Sequence, residues 1–395
     1  MRILHTGDWH FGRSLEGRSR LPEQEAFVDE LVAIVRDAEA DLVLVAGDVY
    51  DSVNPPAAAE ELYYDALSRL AEGGRRAVVV IAGNHDHPER IAAASSLAAR
   101  HGVHLVGLPR REAVRVAVPR TGEEAVIAAL PYPSESRLNE LLHGDPDEEA
   151  LREAYSDRVG RLMRELSARF RPDAVNLAMS HLYVMGGKES DSERPIQVGG
   201  AYTVHPDALD AGQQYTALGH LHRPQRVAGR DDVRYCGSPL AYSFSEAGQA
   251  KSVTLVEASP GRPAESRQIL LSSGRPLVRW EARGGLAEVY RWLDEDRDPT
   301  AWIELEIWLE EALTHEQVGR LRAARESIVA IRPVYAGAGG TGADTAVERR
   351  SDLAPDELFR RFYRKQTGGA EPDEALVRLF LGLVAEDGRE EAAVP

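Results

Sequence analysis

Three apolar runs near the start of the chain end in the same way. MRILHTG leads into DWH, ADLVLVAG into DVYD, and AVVVIAG into NHDHPER. Each run is short and rich in β-branched residues, which suits a buried strand and is too short for a helix. Between them, PEQEAFVDELVAIVRDA and AAAEELYYDALSRLAEG space their apolar residues along one helical face, as does HPERIAAASSLAARHG after the third run. Strand, helix and strand at this spacing build βαβ units and a largely parallel sheet. Sites in such sheets lie at the carboxyl ends of strands. There the chain places aspartate, histidine and asparagine, which fill cores poorly but bind metals and move protons.

With 395 residues, the chain is long enough for two or three domains. More strands are expected at AVRVAV, EAVIAAL, DAVNLAMSH, YTALGHLH, VRYCGSPLAYSF and KSVTLVEA, with a polar helical region over 135–170. Near residue 277 the pattern changes to strand, helix, strand, helix, strand (RPLVRWEA to IVAIRPVY), which predicts a small α+β domain. It holds Trp280, Trp292, Trp302 and Trp308, read as packing residues rather than a base-stacking platform. AGAGGTGADTA then reads as a linker. Two amphipathic helices follow, with apolar faces at Leu358, Phe359, Phe362 and Tyr363, and at Leu376, Leu379, Phe380 and Leu383. Such faces suit a partner, or packing back on the body of the protein. The expected divisions are 1–275, 276–336, 337–349 and 350–395.

The formal net charge is −17. That argues against a protein that coats nucleic acid by bulk electrostatics. It leaves room for an enzyme that meets phosphates through metal ions and a local basic patch. Cys236 is the single cysteine, so no intramolecular disulfide can form. With no secretory leader pattern and no apolar run long enough to span a bilayer, the expectation is a cytoplasmic protein without a membrane segment.

Five clusters fall at strand ends: Asp8 and His10; Asp48 and Asp51; Asn84, His85 and Asp86; His181; and His220 with His222. Any one of them alone is weak, since a lone histidine after a strand is more often structural. Five in order on one scaffold are hard to explain as stability devices, because unpaired buried polar groups cost free energy. Imidazole and carboxylate without thiolate suit Mn, Fe or Zn. In D-x-H and H-x-H an extended backbone would put both side chains on one face. Two adjacent ions would clamp a phosphodiester and activate water.

The order D-x-H, GD-x-x-D, GNHD, H, GH-x-H resembles the calcineurin-like metallophosphoesterases. HFGRSLEGRSRLPEQEAF, GDVYDSVNPP, GNHDHPERI, SDSERPIQVGG and YCGSPLAYSFSEAGQAKSV narrow the likeness to the SbcCD-type bacterial nucleases, which are similar to archaeal and eukaryotic recombination-repair nucleases. The resemblance is strong over residues 1 to about 256 and looser beyond. It implies an α/β fold: a β-sandwich flanked by helices, an α+β capping domain and a C-terminal helical partner-binding segment. It also implies two divalent ions, Mn²⁺ in this family. Asp8, His10 and His222 would hold one, Asn84, His181 and His220 the other, and Asp48 would bridge them. His85 would stabilise the transition state or protonate the leaving oxygen, with Asp86 orienting it. Asp51 stands where archaeal and eukaryotic relatives usually carry histidine, and reads most simply as a turn carboxylate.

The implied activity is an ATP-linked DNA nuclease: a 3′–5′ exonuclease on duplex ends and an endonuclease on single strands and hairpins, serving replication, repair and recombination. The implied partners are an SbcC-type ABC ATPase, gripped by the C-terminal helices, and a second copy within a heterotetramer, met through helices near 57–72 and 88–100. Arg13, Arg18 and Arg20 are the candidate DNA contacts. Arg110, Arg111, Arg115 and Arg120 are read as solvated surface. The rival reading is a phosphodiesterase of the same superfamily acting on a nucleotide or other non-DNA ester. It shares every ligand but gives no reason for the cap and the apolar helix pair. A non-enzymatic scaffold on this fold would be expected to lack ligands, and none is missing.

Overall fold

A computed structural model describes residues 1–134, 137–138, 148–193, 202–335 and scattered positions between 359 and 380. The strands are β1 (Arg2–Thr6), β2 (Ser14–Leu15), β3 (Arg18–Ser19), β4 (Leu42–Ala46), β5 (Ala77–Ile81) and β6 (Val103–Val106), then β7 (Val114–Val118), β8 (Glu123–Leu130) and β9 (Val175–His181). Next come β10 (Tyr215–Gly219), β11 (Gln225–Val227), β12 (Arg230–Tyr235), β13 (Ser252–Glu257), β14 (Glu265–Leu270), β15 (Leu277–Ala282), β16 (Trp302–Leu309) and β17 (Ile328–Tyr335). The helices are α1 (Leu21–Asp37), α2 (Ala57–Ala71), α3 (Pro88–Ala92), α4 (Ser95–Ala98), α5 (Glu148–Ser167), α6 (Gly285–Asp294) and α7 (His315–Ala324).

Two six-stranded sheets form the body, in the orders β14-β13-β1-β4-β5-β6 and β11-β12-β10-β9-β8-β7. β1, β4, β5 and β6 run parallel, as do β8, β9, β10 and β12. Antiparallel strands close the edges: β13 and β14 on one sheet, β7 and β11 on the other. Central parallel strands covered on both faces read as unbroken apolar runs. β4 is buried at every residue. Ile3, Leu42, Leu44, Val79 and Ile81 meet Ile127, Val175, Leu177 and Ala217 between the sheets. Phe27, Leu31, Tyr63 and Leu67 of α1 and α2 pack in the cluster covering the outer face of the first sheet. Val159, Leu162 and Met163 of α5 join the cluster on the outer face of the second. Each fully buried side chain of this size contributes about 1.5–3 kcal/mol. The result is a sandwich flanked by helices whose strand ends open on one edge.

Strands β6 and β11 are not expected from the sequence pattern, the strand expected at VRYCGSPLAYSF ends at Tyr235, and three further features depart from that pattern. β14 has no counterpart in it, because this edge strand is exposed along most of its length and carries no apolar alternation. The tight β2–β3 hairpin falls in a stretch that reads as loop. The single helix expected after GNHD is broken into α3, α4 and a 3₁₀ turn at Ala99–His101. At the break, Ser95 Oγ donates to the Ala92 carbonyl at 2.6 Å, a local bond that competes with helix continuation.

The strands β15-β16-β17 form a three-stranded sheet. Trp280 and Trp292 pack edge to face, 5.5 Å apart, in a core with Ile303, Leu305, Ile307 and Leu321. Trp302 sits instead with Leu15, Phe244, Leu277 and Val329. Its indole N–H donates to Glu23 Oε1 at 2.8 Å, and the Arg275 guanidinium lies 3.9 Å from its ring centre. Glu23 also takes two bonds from buried Arg20 and one from the Arg275 amide at 2.7 Å. One carboxylate thus ties α1, the β3–α1 turn and the third sheet together.

The chain divides into two compact units, 1–333 and 334–395. The expected linker, 337–349, lies outside the described residues, as does most of 350–395. Within the second unit the Phe359 and Phe380 rings stack 4.4 Å apart, and Val377 is buried.

Glu23→Ala leaves the Arg20 guanidinium buried without its partner. Chemical denaturation is expected to register a loss of about 3–5 kcal/mol. Glu23→Gln, which keeps the acceptor for Trp302, loses less.

Candidate metal centre

All five clusters converge at the carboxyl ends of β1, β4, β5, β9 and β10. The means differs from the sequence expectation. D-x-H and H-x-H do not lie on extended backbone. β1 stops at Thr6 and β10 at Gly219. Asp8, His10, Asp48 and His220 all adopt positive φ, at 52°, 46°, 47° and 104°. Positive φ in a non-glycine residue costs of order 1–3 kcal/mol and persists where surrounding contacts over-determine it. Here the amides of Asp8 and His10 donate to the carbonyls of Gly47 and Asp48, both at 3.0 Å. The first two loops hold each other in the strained conformation.

Two glycines allow the close approach. A Cβ on Gly83 would stand 2.1 Å from Asp48 Oδ1, and one on Gly219 would stand 1.9 Å from the Ala46 carbonyl oxygen.

Asp48 lies at the middle of the site. Its Oδ1 accepts the His85 amide at 2.9 Å. Its Oδ2 faces His181 Nε2 at 3.4 Å, His10 Nε2 at 3.7 Å and His85 Nε2 at 4.0 Å. Burial would raise this carboxyl, but the surrounding imidazoles of His181, His85 and His10 hold it well below its usual range. On one side, Asp8, His10 and His222 bring their ligand atoms together. On the other, His181 Nε2 is 2.8 Å from Asn84 Oδ1, and its Nδ1–H donates to the Ala46 carbonyl at 2.9 Å. The His181 and His220 rings pack edge to face at 5.5 Å.

The donor set fits divalent cations. Asp8 Oδ2 and His220 Nε2 are buried with no hydrogen-bond partner, an arrangement that is costly if left unsatisfied. His10 Nε2 and His222 Nε2 face each other at 3.0 Å. Asp51 Oδ1 lies 3.5 Å from His10 Nδ1. A carboxylate only accepts, so the proton belongs on Nδ1 and a lone pair on Nε2. Burial pushes Asp8 up to about 7 and His10 down to about 3, toward their neutral forms. Cations at the two positions would satisfy Asp8 Oδ2 and His10 Nε2 on one side and His220 Nε2 on the other.

His85 presents Nε2 to the site because its Nδ1–H donates to the Asp51 carbonyl at 2.8 Å. Asp86 does not orient it. The Asp86 carboxylate accepts three backbone amides instead, from Gly83 (2.8 Å), Tyr50 (2.9 Å) and Val49 (3.2 Å), and so shapes the two loops that carry Asp48 and Asn84. The expectation for Asp51 as a turn carboxylate is also incomplete, since it lies 3.5 Å from both His10 and Arg13.

The three candidate arginines separate. Arg13 is beside the site, with its guanidinium 5.1 Å from the Tyr242 ring centre and Nη2 donating to the Ser192 carbonyl at 2.9 Å. Arg18 pairs with Glu326 at 3.0 Å on the surface. Arg20 is fully buried against Glu23 and the Ala241 carbonyl, which withdraws it from any DNA contact. Of the second group, Arg111, Arg115 and Arg120 pair with Glu165, Glu124 and Asp41.

Sequence reasoning misses the groups behind His222. Ser192 Oγ lies 2.6 Å from its Nδ1, Glu193 Oε1 accepts its amide at 2.8 Å, and Lys251 donates to its carbonyl at 3.0 Å. Buried Glu246 pairs with Lys251. SDSER and SFSEAGQAK are visible as motifs, but polar residues in loops carry no periodicity that assigns them a contact.

Residues 1–187 match the calcineurin-like phosphoesterase family, and residues 273–367 match the type 5 capsule protein repressor C-terminal domain family. The chain is 52% identical over 393 residues to SbcD, the D component of nuclease SbcCD, of Bacillus subtilis, covering 99% of this chain and all of that protein. The chain belongs to the SbcD family of SbcCD nuclease components. The family's protein from Rhodobacter capsulatus is 38% identical over 298 residues, 72% of each chain. That from Escherichia coli K12 is 30% identical over 380 residues, covering 91% of this chain and 92% of that one. The fold is that of the calcineurin-like phosphoesterases, and in this member of the SbcD family the ligand loops and the third sheet belong to one compact unit.

Gly83→Ala drives a methyl group into Asp48. Far-UV circular dichroism is expected to keep the α/β signature, whereas titration with Mn²⁺ should show at least ~10-fold weaker binding, as for lost ligand support. Unchanged affinity would show that Asp48 is not held for a metal.

Proposed function

We propose that this protein is the metal-dependent nuclease component of an SbcCD-type complex, hydrolysing DNA phosphodiesters. The observation that carries this reading is the convergence of Asp8, His10, Asp48, Asn84, His181, His220 and His222 on one buried site with orphaned donor atoms, in a chain related to SbcD proteins along its full length. In this reading Asp8, His10 and His222 hold one divalent ion, Asn84, His181 and His220 the other, and Asp48 lies between them. A bound metal pair supplies charge neutralisation, Lewis acidity and activation of water; Mn²⁺ is the proposed ion.

The chain's own groups do the rest. The Asp51 carbonyl keeps one proton on His85 Nδ1 and leaves Nε2 facing the site. As the imidazolium, carrying a second proton on Nε2, His85 would stabilise the reacting phosphate or pass that proton to the leaving oxygen. Arg13, beside Tyr242 and Asp51, offers the guanidinium for an incoming phosphate. The net charge of −17 leaves bulk DNA affinity to the partner. The proposed partner is an SbcC-type ABC ATPase, bound by helices in 350–395 beyond a linker at 337–349, with 276–336 as a cap on the 1–275 nuclease body. The proposed reactions are 3′–5′ cleavage of duplex ends and endonucleolytic cutting of single strands and hairpins, in replication, repair and recombination in the cytoplasm. No helix among the described residues is long and apolar enough to cross a membrane.

A homodimer within a heterotetramer is part of the proposal. Its support is an apolar groove of about 420 Å³ lined by Tyr64, Leu67, Ala94, Leu97 and Ala98. Leu97 is 66% exposed there.

The test uses purified protein with end-labelled linear duplex, a DNA hairpin and p-nitrophenyl phosphodiesters, with Mn²⁺, Mg²⁺ or chelator. His85→Gln is expected to lower DNA cleavage by about 10²–10⁴-fold with metal binding retained. Asp48→Ala is expected to lose both. Turnover of small diesters without DNA cleavage, even with the ATPase added, would replace the nuclease reading with that of a general phosphodiesterase. Deleting residues 350–395 is expected to abolish capture of the ATPase in a pull-down while sparing basal Mn²⁺-dependent cleavage. A retained complex would refute the assignment of that segment.

A further inference from the structure

Segment 190–193 holds a chain of hydrogen bonds whose direction can be derived atom by atom. Glu193 is buried, and its Oε2 accepts both the Ser190 amide and the Ser190 hydroxyl, each at 2.6 Å. A carboxylate only accepts, so Ser190 gives its single hydroxyl hydrogen to Glu193. Ser190 Oγ is also 2.8 Å from Ser192 Oγ. With its own hydrogen committed, Ser190 must accept there, and Ser192 must donate. Ser192 Oγ is 2.6 Å from His222 Nδ1. Its hydrogen is committed in turn, so it accepts from Nδ1–H. The circuit closes through the backbone, because Glu193 Oε1 accepts the His222 amide at 2.8 Å.

We infer that Ser190, Ser192 and Glu193 are positioning residues forming a one-way hydrogen-bond circuit that locks His222 in the Nδ1–H tautomer, with its Nε2 lone pair aimed at the metal position beside His10. Within the circuit, the Glu193 carboxylate at the far end sets the direction. Glu246 Oε1, 3.6 Å from the same Nδ1, is a further acceptor on that side and favours the same tautomer. His222 Nε2 then faces His10 Nε2 lone pair to lone pair across 3.0 Å, which repels unless a cation lies between them. The circuit therefore prepares a cation site before the ion arrives. Arg13 fastens the segment from the other side through the Ser192 carbonyl at 2.9 Å.

This inference rests on the metal-centre reading, and its test separates the two. Metal-free protein labelled with ¹⁵N-histidine reports tautomers directly in long-range ¹H–¹⁵N correlation spectra, with the His222 signal assigned by its loss in His222→Gln. The full-length protein is then titrated with Mn²⁺ by electron paramagnetic resonance. The wild type is expected to show His222 as the Nδ1–H tautomer alone. Ser190→Ala touches neither His222 nor the metal position, yet frees the Ser192 hydroxyl hydrogen to turn toward Nδ1. It should populate the Nε2–H tautomer and weaken Mn²⁺ binding about 10-fold, the usual scale for lost support of a ligand histidine. Ser192→Ala should do the same, and Ser192→Thr, which keeps the hydroxyl, should restore both readouts. A Ser190→Ala protein with the wild-type tautomer and Mn²⁺ affinity would overturn the circuit. A wild type that shows the single tautomer but binds no Mn²⁺ would uphold the circuit and reject the metal reading instead.

Discussion

The structure turns on the cost of burying polar atoms. Asp8, Asp48, His10, His181, His220 and His222 are all almost fully withdrawn from water. A sandwich edge made this way is destabilising unless each atom finds a partner. Asp48 shows how the fold meets that demand. One carboxylate oxygen takes a backbone amide from the loop carrying Asn84, and the other is ringed by three imidazoles. Asp8 Oδ2 and His220 Nε2, which no protein group reaches, are atoms a cation would satisfy. The same groups that weaken the fold therefore define the site.

The backbone carries part of this load. Four of the proposed ligands sit at positive φ. That strain is held by the stiffness of the strands behind them, whose side chains are buried on both faces of the sheets. Asp86 acts in the same way. Its carboxylate satisfies three amides of two loops and so fixes where Asp48 and Asn84 begin. Burial and the neighbouring Asp48 charge push it up to about 7, against those amide bonds. A carboxyl group here serves geometry, and chemistry benefits indirectly.

Charge elsewhere follows the same division. Among the described residues, surface arginines such as Arg115, Arg120 and Arg171 are paired with carboxylates. Arg13 is held differently, between Asp51, Tyr242 and the carbonyl of Ser192. Arg20, close to it in sequence, is consumed by Glu23 in joining α1 to the third sheet. Two arginines of one loop thus have opposite fates, decided by which carboxylate the fold brings near.

By itself the sequence determined the strand–helix alternation, the buried parallel strands and the identity of the polar residues at their ends. These follow from local periodicity and from the chemistry of side chains, and both are written in short stretches such as LVLVAGDVYD and AVVVIAGNHD. It missed β14, whose exposed edge position leaves no apolar pattern, and it joined α3 and α4 across a serine bond that ends the first helix. Only the tertiary structure decided that left-handed turns rather than strand alternation bring Asp8 and His10 together, that Asp86 serves backbone amides rather than His85, and that Ser190, Ser192 and Glu193 stand behind His222. Each of these depends on contacts between segments far apart in the chain. No local propensity encodes them, because hydrogen-bond direction and burial exist only once the segments have met.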